Sequence, residues 1–273
     1  MFTLVVMAAG LGSRFGGTKQ LAEVGPNGEA FLDFAIADAC SAGASKVVLI
    51  VRSNIEDDVR AHLSRPHLSR HSNLPNNLQV ALVCQDQHGP QRAKPWGTAH
   101  AVACAHSEIA GPFMVCNADD YYGPSAYAKM AEAIPKMDTN QALLCGYHLA
   151  HTLPSQGVVT RGICRTEGNR LTAITEQQGL SAANSTYPPD TLVSMNLWAF
   201  SEAFVTTLQT DLAQFLSHNQ HSSDAEYLLP HAVAQQMHSN GLQVNVIPTQ
   251  ERWIGVTNPE DLQAARTALA HRT

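Results

Sequence analysis

The chain has 273 residues, 44% of them hydrophobic, enough to bury a sizeable α/β core and too apolar for a disordered segment. With 17 basic against 23 acidic residues the formal charge is −6 and no block of like charge occurs, which excludes an electrostatic footprint for sequence-independent nucleic-acid binding. No stretch approaches the ~18 apolar residues of a membrane span and no basic region precedes the first apolar run, so a cytoplasmic protein without membrane contact is expected.

The first element is a buried strand at residues 4–7, a β-branched run that stops at Ala8-Ala9-Gly10-Leu11-Gly12-Ser13-Arg14 and continues through Gly16-Gly17-Thr18-Lys19. Glycines after a strand let backbone N–H groups approach an anion without interference from a Cβ, and Arg14 and Lys19 add a planar fork of donors and a mobile point charge. That combination suits a nucleoside triphosphate; an ordinary loop with two solvated cations is the bland alternative. The glycine spacing does not match the dinucleotide fingerprint, and Gln20 after Lys19 lacks the hydroxyl of a P-loop.

Further strands are expected at 46–51, 78–84 and 113–116, with helical patterns between them: Phe31, Phe34, Ala35 and Ala39 before Gly43, then Ile55, Val59, His62 and Leu63 before Pro66. Short continuous apolar strands alternating with helices predict a parallel sheet covered on both faces. After residue 140 the pattern changes to strands at 142–150, 157–164, 171–175 and 192–200, which read as mixed or antiparallel. Helices follow at 202–216 and 230–238, a strand at 244–247 and a last helix from Pro259, with Pro230 and Pro259 suited to first turns. The expected architecture is a Rossmann-like, mainly parallel sheet flanked by helices on both faces, in one domain spanning 1–273. Residues 1–140 carry its parallel part and 141–273 its mixed part. The six cysteines, at 40, 84, 104, 116, 145 and 164, show neither zinc nor redox spacing and read as reduced core residues.

Ligands of open α/β sheets collect beyond the carboxyl ends of the strands. Besides the glycine turn, two such ends are informative. After the strand that stops at Cys84 come Gln85, a loop with Arg92 and Lys94, and the small-residue helix Gly97-Thr98-Ala99-His100-Ala101-Val102, with Thr98 as cap or first-turn residue. After the strand that stops at Cys116 come Asn117-Ala118-Asp119-Asp120-Tyr121-Tyr122-Gly123. An acidic pair there is costly without a compensating cation, and magnesium takes one or two carboxylates plus substrate phosphates. Asp119 is the expected metal ligand and Asp120 a structural residue; an Asx turn before the helix at Pro124 is the alternative for both.

These segments resemble the sugar-1-phosphate nucleotidyltransferases, also called NDP-sugar pyrophosphorylases. Residues 7–19 follow the pattern strand, A-A-G-x-G-[ST]-R, lysine; residues 97–101 follow G-T-A-x-A; Asp119 matches the G-D-x-x-x-x-G metal segment. The glycine turn and lysine are shared more loosely with cytidylyltransferases and molybdopterin guanylyltransferases. The resemblance implies that Ala8, Ala9, Gly10, Gly12, Ser13, Gln85, Gly97 and Thr98 bind the nucleotide, Gln85 and Gly97 at its base, and that Arg14 and Lys19 are catalytic. An amide at Gln85 can meet the edge of uracil or thymine. Gly157-Val158-Val159 resembles the family's G-V-V strand and Glu176 its E-K-P glutamate, although Gln177-Gln178 replaces the lysine and proline. Gly157, Glu176 and Asn196 are therefore the candidate sugar contacts, and the resemblance makes 1–140 the nucleotide-binding half and 141–273 the sugar-binding half of the single domain.

The largest departure is near the C-terminus, where the family's W-x-D-x-G-T-P-E carries a second metal aspartate. Here Arg252-Trp253-Ile254-Gly255-Val256-Thr257-Asn258-Pro259-Glu260 lacks it. Glu226, Glu251 or Asp261 could substitute, Asp119 and phosphates could hold magnesium alone, or catalysis could be lost. The expected activity joins a nucleoside triphosphate to a sugar 1-phosphate and releases pyrophosphate, with Mg2+ as cofactor and no nucleic-acid or membrane partner; a homo-oligomer is left open. A nucleotide-sugar glycosyltransferase and a non-catalytic nucleotide-sugar sensor are the rivals.

Overall fold

The structure, a computed structural model, describes residues 1–10, 19–65, 75, 77–154, 157–256 and 261–271, with Lys19 described by its backbone. Strand β1 (Phe2–Met7) is buried along its whole length and sits between two parallel neighbours, β2 (Ala44–Val51) and β4 (Phe113–Asn117). Its alternate residues serve two cores. Leu4 and Val6 pack on one face with helices α1 (Phe31–Ser41), α2 (Glu56–Leu63) and the helix Pro124–Ala133. Val5 and Met7 pack on the other with the helices Thr98–Cys104, Glu202–Asn219 and Leu229–Ser239. An uninterrupted apolar run is what burial on both faces requires, and each fully buried Leu, Val or Met contributes roughly 1.5–3 kcal/mol.

Apart from β5 (Asp120–Tyr121), the strands β3 (Gln79–Cys84), β6 (Gln141–His148), β7 (Val159–Glu167), β8 (Arg170–Leu180), β9 (Leu192–Phe200) and β10 (Gln243–Thr249) complete the main sheet, which among the described residues has nine strands in the order β3-β2-β1-β4-β9-β6-β10-β8-β7. The first four are parallel. Beyond β4 the sheet is mixed: β9 is antiparallel to both β4 and β6, β10 is parallel to β6, and β8 and β7 are antiparallel. The expected fold class and the change of character after residue 140 are both found.

Two differences from the sequence reading have local causes. The strands expected at 157–164 and 171–175 are longer arms of one hairpin, β7 and β8, turning at Gly168 with φ 59°. Their exposed faces carry Arg165, Glu167 and Thr172, so counting apolar runs truncates them. A second sheet joins β5 to β11 (Ile254–Gly255), two residues on each side, too short for any periodicity. Pro124 and Pro230 do occupy first turns, while Pro259 lies outside the described residues. Among the described residues no helix is long and apolar enough to cross a membrane.

Candidate active site

Strand order reverses between β1 and β4, and a crevice opens there at their carboxyl ends. Met7 is in register with Asn117, and the N–H of Ala118 donates to Met7 O at 3.1 Å. Consequently Ala9 and Gly10, leaving β1, and Asp119, leaving β4, line one cavity of about 350 Å³. Gly10 O accepts from Gln20 Nε2 at 2.7 Å, which ties the beginning of the glycine turn to its far side. Ala8 is bonded to Ile50 O and buried, so it supports the wall rather than forming it. Gly12, Ser13, Arg14 and the side chain of Lys19 lie outside the described residues.

The opposite wall comes from residues 85–98. Gln85 is buried, and its Nε2 donates to Gly97 O at 2.9 Å while lying 2.9 Å from His100 Nδ1. Burial lowers His100 to about 4, so its ring is neutral and Nδ1 can accept from Gln85. Gly97 has φ 104°, and a Cβ there would meet Tyr227 O at 2.5 Å. Only glycine lets residues 96–99 run against Tyr227, which donates to Trp96 O at 2.7 Å and accepts from the N–H of Ala99 at 2.9 Å. Thr98 is a first-turn residue, as expected, but its Oγ1 accepts from the N–H of Leu229 at 2.8 Å and so caps the helix Leu229–Ser239.

Arg92 and Lys94 acquire distinct surroundings. Arg92 lies over the Trp96 ring at 3.9 Å and donates to the carbonyls of Lys94, Pro95, Ser222 and Ala225, which binds loop 85–96 to the segment before Tyr227. Lys94 pairs with Glu226 at 3.0 Å on the rim of the cavity.

A second cavity of about 410 Å³ adjoins the first and shares Thr98, Asn117, Asp119 and Leu228 with it. Its remaining wall includes Asp120, Arg161, Glu176, Asn196 and Trp253. Asp120 is buried and its Oδ2 accepts from Asn117 Nδ2 at 2.7 Å, with the Tyr122 hydroxyl 3.2 Å away, which agrees with a structural role. Burial first, and the Asp120 charge second, hold that hydroxyl protonated. Asn196 has φ 68°, its Nδ2 donates to Asn117 Oδ1 at 3.0 Å and its Oδ1 accepts from Trp198 Nε1 at 2.9 Å. Its amide is thus engaged at both ends, and it positions Asn117 while lining the cavity. Gly157 is exposed and absent from the described wall; where the sequence pointed to Gly157, β7 contributes Arg161 instead.

Position 255, two after Trp253, is glycine, and a Cβ there would lie 2.2 Å from the Trp253 ring and 3.0 Å from Asp120 Oδ1. The space for a second aspartate is filled. Of the substitutes, Glu251 receives the N–H of Ser125 at 2.9 Å in the first turn of the helix Pro124–Ala133, and Asp261 begins the final helix. Glu226 lines the first cavity, where it pairs with Lys94. Among the described residues no group of three His, Cys, Asp or Glu side chains could hold a metal by protein ligands alone. Asp119 on the shared rim, with phosphate oxygens and water, is a donor set magnesium accepts.

The sequence reading passed over Arg161, Asn117 and Trp253 as wall residues. The available signal was a lone arginine inside the otherwise apolar, glycine-flanked run at 157–164. The six cysteines are free and buried, with burial pushing Cys104, Cys116, Cys145 and Cys164 up to about 12, consistent with inert core thiols.

A mixed sheet, parallel through β3-β2-β1-β4, with a crevice at its switch point that opens into a second polar cavity, has the architecture of the nucleotide-diphospho-sugar transferase fold. Residues 4–183 match the family model of the MobA-like NTP transferase domain, and the chain belongs to that family of nucleotidyltransferases. No curated protein matches the chain by sequence. Among solved structures it is similar to a glucose-1-phosphate thymidylyltransferase from Bacillus anthracis in complex with sucrose, at 12% identity and a TM-score of 0.69, covering 100% of this chain and 97% of that one. It is also similar to the inositol-1-phosphate CTP transferase from T. maritima (14%, TM-score 0.66, 100% and 98%). A third is UDP-glucose pyrophosphorylase from Acinetobacter baumannii (16%, TM-score 0.63, 98% and 93%).

Proposed function

We propose that the chain joins a nucleoside triphosphate, uridine or thymidine triphosphate being the favoured donor, to a sugar 1-phosphate with release of pyrophosphate. The observation that carries the reading is the pair of cavities meeting at Asn117 and Asp119, one lined by the start of the glycine turn and the other by Glu176 and Arg161. A nucleotide in the first and a sugar phosphate in the second bring the acceptor oxygen to the α-phosphorus at the shared rim. The acceptor phosphate oxygen attacks that phosphorus in line, the bond to the bridging α–β oxygen breaks, and pyrophosphate leaves with the electron pair. Such chemistry rests on positioning and charge stabilisation, and the acceptor phosphate is already ionised near neutral pH.

Lys19 and Arg14 are assigned to the triphosphate, Gly10 and Ala9 to its backbone contacts, Gln85 and Gly97 to the base, and Glu176 to sugar hydroxyls. Asp119 would hold magnesium, which supplies neutralisation of the phosphate oxygens when bound. Cytoplasmic residence goes with this reading, since its substrates are intracellular metabolites by chemical class. The test is a panel of triphosphates against hexose 1-phosphates, with pyrophosphate detection in the presence and absence of magnesium. Release of a nucleoside diphosphate from a nucleotide sugar would show a glycosyltransferase instead. The filled space at Gly255 favours a second reading, a non-catalytic nucleotide-sugar sensor, which predicts ligand-dependent thermal stabilisation with no pyrophosphate from any pair.

A further inference from the structure

Arg161 stands on β7 in the wall of the second cavity and is 9% exposed. Its Nε donates to Thr152 Oγ1 at 3.2 Å, one Nη1–H to Thr160 O at 2.9 Å, and one Nη2–H to Thr152 O. All three acceptors are neutral. Two of the five N–H groups, one on each terminal nitrogen, have no acceptor among the described residues, and no carboxylate of those residues comes within ion-pair distance. A buried cation without an anionic partner is costly, and natural cores avoid it unless a ligand completes the pair.

Three neighbours sharpen the point. The guanidinium lies 4.8 Å over the Trp253 ring, and Trp253 Nε1 is itself a buried donor with no acceptor among the described residues. Across the β7–β8 ladder Arg161 is in register with Gln177, a neutral residue whose amide is engaged by Gln178 O at 3.2 Å and by the Tyr187 hydroxyl at 3.3 Å. The strand that ends the E-K-P-like segment therefore brings no cation at that position, and its partner strand does. Asp120 and Glu176, which line the same cavity, lie within electrostatic reach of Arg161.

Resting on the reading above, we infer that Arg161 holds the phosphomonoester of the acceptor through its two free N–H groups, with the Trp253 ring as the platform beneath it. The residue binds substrate and sets the acceptor oxygen at the rim; it does not donate or receive a proton. Arginine suits the task because its planar fork meets two oxygens of one phosphoryl group and keeps its charge when desolvated. Burial does lower it to about 10, which still leaves it cationic near neutral pH.

The test measures binding and turnover separately on the full chain. By calorimetry, glucose 1-phosphate should bind the wild-type chain at least tenfold more tightly than glucose, and Arg161→Gln should remove that difference while leaving glucose unchanged. Arg161→Lys should restore part of it. In steady-state pyrophosphate release, Arg161→Gln should raise KM for the sugar 1-phosphate about tenfold or more, with KM for the triphosphate within twofold. A wild-type chain that prefers glucose 1-phosphate to glucose no better than Arg161→Gln does overturns the inference. So does a parallel rise in both KM values accompanied by lower thermal stability, the signature of a purely structural arginine. Glucuronic acid 1-phosphate is the third arm: a penalty in Arg161→Gln confined to that acceptor places the guanidinium on the sugar carboxylate and overturns it too. Should no sugar 1-phosphate yield pyrophosphate with the wild-type chain, the functional reading fails, while the calorimetric comparison still decides the role of Arg161.

Discussion

The two cavities are built from different materials. The one at the ends of β1 and β4 is shaped largely by backbone and small residues, with Ala9, Gly10 and Gly97 on its wall and the carbonyls of Gly10 and Gly97 held by the amides of Gln20 and Gln85. The adjoining one is shaped by side chains from the mixed strands, with Arg161, Glu176 and Asn196 projecting from β7, β8 and β9. A wall of backbone suits a ligand whose recognisable part, a triphosphate, is common to all donors. A wall of side chains can be changed one residue at a time, which is how one fold serves acceptors of different shape.

The most severe way to break this comparison is at the rim common to both cavities. Asp119→Asn should reduce pyrophosphate release by about 10³-fold with thermal stability unchanged, since it removes charge without volume; turnover within tenfold of wild type would move the metal elsewhere. On the backbone-built side, Gly97→Ala should cost about 3 kcal/mol in denaturant unfolding, because the new Cβ collides with a carbonyl at a φ reserved for glycine. An alanine variant as stable as wild type would show that Tyr227 is free to retreat.

Acid probes the support behind that wall. His100 has a folded value of about 4, below its ordinary 6.5, so the unfolded chain binds the extra proton between those values. Its contribution is present above pH 6.5 and is lost as pH falls toward 4, by about 3 kcal/mol at roughly 1.4 kcal/mol per unit. His100→Asn should flatten the stability profile in that window; an unchanged slope would assign it to carboxylates. The smallest effect is expected at the half-exposed Lys94–Glu226 pair, where Lys94→Ala should change stability by less than about 0.5 kcal/mol. A larger loss would mean that the rim of the nucleotide cavity, like the second cavity, relies on side-chain charge.

Legibility in the sequence follows the same division. That Gly10, Gln85, Gly97 and Asp119 share one wall could be read because strand ends and particular small residues recur at short spacing, which a linear pattern preserves. Their joint opening into one crevice followed from the parallel order of β1 and β4, which the alternating strands and helices announced. Arg161 could not be read, since its placement depends on the β7–β8 register and on a cross-chain stack with Trp253, both set by tertiary pairing. Asn196 was legible as a polar strand residue near the site but not as a clamp on Asn117, 79 positions away. Gly157, a candidate drawn from the resemblance, is exposed and stands outside the wall of the second cavity.

The segment carrying Tyr227 and Leu228 is tied on one side to Trp96 and Ala99 and runs on into the helix that Thr98 caps. Leu228 forms part of the partition between the compartments, belonging to both at once. A change in the volume of the side chain at 228 therefore alters both chambers together, so one substitution there reshapes the walls offered to two ligands at once.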